Sequence, residues 1–162
     1  MGESSVSAKS GKRVDPLRGF RFRVTCEPNN FVSAGFRTVS GLNSETEVTE
    51  YREGIDGAHS HKIPGISTFE DISLARGKCL NDDLQTWRNQ VIDVEKGVGE
   101  PDPSFRRTVI IDLHDYQNER RKSWKVVDAW PRRLEHGDLD AGSSDVLLET
   151  LVLANEGIIP LK

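Results

Sequence analysis

Only one stretch of this 162-residue chain repeats its apolar residues at a helical interval, and about seven others alternate at the interval of a β-strand. The helical stretch sets Leu84, Trp87 and Val91 at i, i+3 and i+7 behind Asn81-Asp82-Asp83. Asn81 reads as its cap and the two aspartates as charges at its positive end, with Gly97 and Gly99 closing it. A parallel sheet needs a helix at most of its crossovers, which a single helix cannot supply. The fold class that remains is mainly β: an antiparallel β-sandwich or partly closed barrel of about seven strands with one packed α-helix.

The strands differ in what they demand of their surroundings. Arg18–Cys26 puts Phe20, Phe22, Val24 and Cys26 on one face and Arg21, Arg23 and Thr25 on the other. Phe31–Ser40 follows, with Phe36 and Val39, and then Asn43–Arg52, with Thr46, Val48 and Tyr51 as its β-formers. Glu45, Glu47 and Glu50 leave neither face of this third strand fully apolar. From Glu53 to Ser67, Gly54, Gly57, Pro64 and Gly65 interrupt the pattern and predict a long loop. Its Ile55, Ile63 and Ile66 are not needed by a solvated loop, so they call for a surface on the domain itself or on a neighbour.

Thr68–Arg76 resumes as a strand. Phe105–Leu113 and Arg121–Val127 form a hairpin through a turn at Asp115–Glu119, and Ala129-Trp130-Pro131 ends its second arm. Arg132–Ser144 reads as irregular. Asp145–Ala154 is the last strand, apolar on both faces as a central strand covered on both sides would be. Such a sheet leaves edges that must be covered or paired, and pairing with copies of itself in a ring satisfies them.

The length suits one domain, divided as an N-terminal arm over 1–14 and a single domain over 15–162. Met1–Arg13 is small, polar and basic, without the apolar middle of a secretory signal. No apolar run approaches the roughly 18 residues of a membrane span. The net charge of −4, from 26 acidic against 22 basic residues, argues against a surface built to grip nucleic acid. It permits a mildly negative wall past which a polyanion slides.

No catalytic constellation emerges. His59 and His61 lack a third ligand close by, and an exposed polar loop accounts for them. Asp138, Asp140, Gly142 and Glu149 imitate calcium-loop spacing, but a strand follows where a helix is required, so they read as an acidic turn. Adjacent Asp82 and Asp83 point in different directions and cannot share a proton, and capping accounts for them. Gly97-Val98-Gly99-Glu100 lacks the Lys-Ser/Thr of a phosphate loop. Trp124 and Trp130, near Arg120-Arg121-Lys122 and Arg132-Arg133, read as core tryptophans beside charged turns. Cys26 and Cys79 make no CxxC or zinc spacing. Free, packed thiols are the plain reading of the pair, and a disulfide, including one between subunits, is the alternative.

A series of motifs runs in order along the chain. It begins with Asp15-Pro16-Leu17-Arg18-Gly19-Phe20-Arg21-Phe22, Val39-Ser40-Gly41-Leu42 and Glu50-Tyr51-Arg52-Glu53-Gly54. It continues through Lys62-Ile63-Pro64-Gly65, Leu74-Ala75-Arg76-Gly77, Leu84-Gln85-Thr86-Trp87 and Ala129-Trp130-Pro131 to Glu149-Thr150-Leu151-Val152-Leu153-Ala154-Asn155-Glu156-Gly157. Over roughly residues 15–158 the chain resembles the tail tube family of T4-like phages, whose relatives form inner tubes of R-type bacteriocins and contractile injection systems.

The resemblance implies a structural subunit and no enzyme or cofactor. Hexameric rings would carry a composite β-barrel lumen and stack into a tube inside a contractile sheath. In a phage, DNA would pass along the lumen without specific binding. Partners would be further copies of the chain, the sheath protein, and baseplate and tail terminator proteins, without stable membrane insertion. The location would be the virion tail, assembled in the host bacterial cytoplasm. The alternatives are an injection-device or bacteriocin tube and a type VI secreted ring protein.

The family's long loop after the third strand reaches a neighbouring subunit, which assigns intersubunit contacts to Tyr51, Arg52, Glu53, Ile55, His61, Ile63, Pro64 and Ile66. Asp82, Asp83, Gln85 and Arg88 would form a sheath-facing helix surface. Cys26 and Cys79 would link subunits if they face each other across a boundary.

Overall fold

The computed structural model describes residues 21–28, 32–52, 54, 60–78, 81–92, 103–138, 142 and 146–162. The chain forms β1 (Arg21–Glu27), β2 (Val32–Phe36), β3 (Thr38–Ser40), β4 (Ser44–Tyr51), β5 (His61–Phe69) and β6 (Ile72–Gly77). Helix α1 (Asp83–Val91) and a 3₁₀ turn at Pro103–Phe105 follow, then β7 (Arg107–His114), β8 (Arg120–His136), β9 (Leu148–Ala154) and β10 (Gly157–Leu161). All pairings are antiparallel. One sheet has the order β2-β1-β7-β8-β9-β6-β3, with β10 also on β8, and β4–β5 forms a separate two-stranded sheet.

β8 organises this arrangement. Its first half lies between β7 and β10, and its second half pairs with β9. The registers Gly157↔Val127 and Ala154↔Trp130 set β10 and β9 one after the other along the same edge of β8. β2 and β3 are the two ends of the sheet order, yet only Arg37 separates them in sequence. Consecutive Cα atoms are about 3.8 Å apart, so the two ends must come together and the sheet rolls up without closing. The partly closed, mainly β architecture expected from the sequence is therefore the one observed.

Strand alternation fills the interior. Val24 and Cys26 of β1, Ile72 and Leu74 of β6, Val109 and Ile111 of β7, Val126 of β8, and Leu151 and Leu153 of β9 are all buried. α1 adds Leu84 and Trp87, and the Trp87 indole N–H donates to the Phe105 carbonyl at 2.8 Å, so its polar atom is satisfied inside the core. Trp124 packs on the core and Trp130 lies edge-to-face on Phe105, 6.1 Å between centroids, as expected of core tryptophans.

Several local expectations are corrected. His61–Phe69 is a strand, not loop, with Pro64 and Gly65 inside a ladder whose register shifts between Thr46 and Val48. A two-stranded sheet has only edge strands, where the missing proline N–H costs no ladder bond if it faces outward. Phe31–Ser40 breaks at Arg37 into β2 and β3, and Thr68–Arg76 is interrupted at Glu70-Asp71. Pro131 does not end its strand, because a register shift between Pro131 and Arg133 absorbs it and β8 continues to His136. β10 was not anticipated.

The last long strand is fully covered on one face only: Glu149, Leu151 and Leu153 are buried, while on the other face Leu148 is 41% exposed and Thr150, Val152 and Ala154 are half-buried. Asp82, not Asn81, holds the helix N-cap, and it makes no side-chain cap hydrogen bond. Gly97 and Gly99 lie outside the described residues, as does the 1–14 arm. Among the described residues, no helix is long and apolar enough to cross a membrane.

Candidate functional site: an exposed hairpin anchored on a charged barrel

The β4–β5 hairpin continues the β3–β6 pair beyond the rolled sheet. Ser40 faces Ser73 and Ser44 faces Phe69, so the same antiparallel alignment is kept across the junction. The junction is built on Gly41, whose φ is +86°. A Cβ at Gly41 would meet the Asp71 carbonyl oxygen at 2.1 Å, so only glycine lets the two chains approach there. Glu70 N–H donates to the Asn43 carbonyl at 3.2 Å, Asn43 Nδ2 to Glu70 Oε2 at 2.8 Å, and Asn155 Nδ2 to the Glu70 carbonyl at 2.8 Å. These bonds fix the direction in which the hairpin leaves the body.

Beyond this base the hairpin is exposed on both faces: all of β4 and all of β5 except Phe69. Val48 is 59% exposed, Tyr51 48%, Ile63 48% and Ile66 71%. An isolated two-stranded hairpin is at best marginally stable in water. Here four large apolar side chains stand in solvent on such an element, which is the signature of a surface completed by another molecule.

The structure brings Tyr51, Arg52, His61, Ile63, Pro64 and Ile66 together on this hairpin or at its end. Glu53, Ile55 and His59 lie outside the described residues. Among the described residues, no group of three His, Cys, Asp or Glu stands close enough to hold a metal ion.

A charged cluster lies where α1 meets the barrel. In register, Arg76 of β6 faces Glu149 of β9, and both point inward. Arg76 Nε donates to Glu149 Oε2 at 3.0 Å and its Nη2 to Asp83 Oδ1 at 2.7 Å, while Lys78 Nζ reaches Glu149 Oε1 at 3.0 Å. His136 Nδ1 stands 3.5 Å from the same carboxylate. Burial works against the charge of Arg76, and its hydrogen bonds to Asp83 and Glu149 more than offset this, raising its pKa above the ordinary value. The guanidinium also lies 5.7 Å from the Phe36 ring centroid.

This cluster corrects two sequence readings. Asp83 is turned inward on Arg76 rather than outward on the helix surface, while Asp82 is exposed and Gln85 and Arg88 are half-buried. Glu149, read from the sequence as part of an acidic turn, is 1% exposed inside the barrel and committed to cations. One sequence signal for this role existed: Glu149 shares its strand parity with buried Leu151 and Leu153. Arg76 shares its parity with buried Ile72 and Leu74 in the same way, but nothing in the sequence paired the two across 73 residues.

Cys26 faces the core, 1% exposed, and desolvation by burial pushes its thiol pKa up to about 12. That placement corrects the expectation of a link through Cys26: a bridge from it to a neighbour would require the core to open. Cys79 lies outside the described residues. We expect a Cys79→Ser chain to take up no thiol reagent at pH 8 until denaturant is added, and to run as a monomer on non-reducing gels. Labelling of the native Cys79→Ser chain would show that Cys26 is accessible.

A rolled β body carrying an uncovered two-stranded extension defines a class, the self-assembling structural subunit. The chain belongs to the T4-like virus tail tube protein family: the family model described as T4-like virus tail tube protein gp19 matches residues 18–159. A chain in the cryo-EM structure of the anti-feeding prophage baseplate, 6-fold symmetrised, is 26% identical, with a TM-score of 0.72, covering 92% of this chain and 97% of that one. A chain of the sheath-tube complex of the extracellular contractile injection system PVC in its extended state is 25% identical, with a TM-score of 0.73, covering 90% and 91%. The anti-feeding prophage tube terminating cap shares the fold, at 21% identity and a TM-score of 0.76 over 98% and 99%. A comparison with curated proteins finds no match. The chain is thus a structural inner-tube protein.

Proposed function

We propose that this chain forms hexameric rings that stack into the inner tube of a contractile device, bounded by a sheath outside and by baseplate and terminator proteins at its ends, and that it catalyses no reaction. The observation that carries the proposal is the β4–β5 hairpin, whose Val48, Tyr51, Ile63 and Ile66 remain 48–71% exposed in the subunit itself. Six-fold rings and sheath contact are supported by the similar chains in the symmetrised baseplate and sheath-tube structures.

For a phage tail the cargo of the channel is DNA, sliding past a chain of net charge −4, and the site of assembly is the host cytoplasm. The second reading, an extracellular injection device that passes a cargo other than a genome along the same channel, is favoured by the two relatives at 25–26% identity.

Purified full-length chain at rising concentration tests the assembly. Ring and tube formation in negative-stain micrographs and sedimentation is the expected result, and a strict monomer at millimolar concentration refutes it. Nuclease-protected DNA in intact particles identifies the phage cargo, and its absence from particles that carry protein cargo identifies the device.

A further inference from the structure

The net charge of −4 averages over arginines of two kinds. Arg106, Arg121, Arg132 and Arg133 each hold a carboxylate. Arg21, Arg23 and Arg120 are exposed and form no ion pair among the described residues. Far apart in sequence, these three come together at one end of the rolled sheet.

β1, β7 and β8 meet there side by side. Arg21 faces His114 of β7, and His114 faces Arg120 of β8, so direct cross-strand pairing sets all three on one face. The imidazole is held in the turn, with Nδ1 donating to the Asn118 carbonyl at 3.2 Å. Arg23 follows Arg21 on the same face, opposite Asp112. The acids of this end are engaged with their own neighbours: Asp112 accepts the Ser123 hydroxyl, and Asp115 and Glu119 both bind Arg121.

Spacing and chemistry narrow what such a row would hold. Adjacent strands lie about 4.8 Å apart, so the Arg21 and Arg120 backbones are roughly 10 Å apart across β7, with Arg23 about 7 Å along β1. Points this far apart suit successive groups of an anionic chain better than one isolated anion. Each guanidinium presents a planar fork of donors, and a phosphate has oxygens enough to accept from two forks at once. Tyr116, 78% exposed in the turn beside His114, adds a ring face on which a base can stack.

We infer that the Arg21–Arg23–Arg120 face at the end of β1, β7 and β8 is a binding site for a chain of phosphate groups, as carried by free polyphosphate or by a single nucleic-acid strand. Binding there is blind to base sequence, because phosphate contacts carry no sequence information. The site belongs to the single subunit and does not depend on the tube reading.

The test uses the full chain at micromolar concentration, in the fraction that does not sediment, without divalent ions. Sodium tripolyphosphate at about a hundredfold excess over Kd raises Tm by about 5 °C or more, beyond NaCl at equal ionic strength. Arg21→Ser with Arg120→Ser keeps the unliganded Tm, since both side chains are exposed, and loses most of that rise. The same pair weakens binding of a fluorescent single-stranded oligothymidylate at least about tenfold. It also flattens the salt dependence by about 1.4 in log K per log salt, about 0.7 for each contact removed. Tyr116→Ala separates the two sources of phosphate. Weaker oligonucleotide binding with an unchanged tripolyphosphate shift marks stacked bases, whereas no change in either, or no oligonucleotide binding at all, marks free polyphosphate. No rise beyond the NaCl control, an equal rise in the double variant, or an equal rise with poly-glutamate overturns the site. The tube reading is untouched by these outcomes, since it stands or falls on sedimentation of the wild type.

Discussion

A chain in which a two-residue Asn-Gly turn replaces residues 44–69 is expected to fold and melt like the wild type and to form no tubes. The replacement leaves intact the Glu70 N–H to Asn43 carbonyl bond at 3.2 Å, the natural closing bond for a tight turn at that point. Among the described residues of the hairpin, every one except Phe69 is exposed, so none of them belongs to the core. Stability should therefore change by no more than about 1 kcal/mol, the scale of surface changes.

Assembly is different. Covering Val48, Tyr51, Ile63 and Ile66, which are 48–71% exposed, contributes on the order of 1 kcal/mol each. The sum of roughly 4 kcal/mol corresponds to about a thousandfold in association. Thermal melts and sedimentation of the same preparation decide it. A truncated chain that still builds tubes would remove the hairpin from the assembly, and one that fails to fold would place the hairpin within the fold of the monomer.

The second large effect is expected at Glu149. Glu149→Ala leaves Arg76, 5% exposed, with Asp83 as its remaining carboxylate, and leaves Lys78 without its 3.0 Å partner. Breaking one side of a buried charge cluster costs about 3–5 kcal/mol. For a domain of this size that lowers Tm by roughly 10–15 °C. Replacing both members, Arg76→Met with Glu149→Leu, should recover a large part of the loss, because burying two charges is itself costly and apolar groups fill the same space. A melt of Glu149→Ala within 2 °C of the wild type would show that the cluster contributes little. A double variant worse than the single would show that the ion pair specifies the seat of α1 on the barrel.

These two effects fall on different parts of the molecule because the chain uses its polar residues in two ways. Inside, Arg76 and Lys78 balance Asp83 and Glu149 and hold α1 on the barrel. Outside, Glu45 and Glu47 are exposed and have no such partners among the described residues.

The sequence by itself determined the fold class, because alternation in β1, β6, β7 and β9 and a single helical stripe admit few packings. It also marked Ile63 and Ile66 as residues in need of a surface, since apolar side chains among glycines have no reason to stand in water. It did not reveal that His61–Phe69 is a strand: Pro64 and Gly65 oppose strand formation locally, and only pairing with β4 overrides them. Nor did it reveal that β8 runs straight through Pro131, or that β10 exists, because both depend on a register fixed by neighbours far away in sequence. Tertiary structure alone placed Arg76 against Glu149 across 73 residues and buried Cys26 in the core. The reason is physical: periodicity reports which face of a strand is apolar, but which strand lies beside it, and so which charges meet, is decided only when the sheet rolls up.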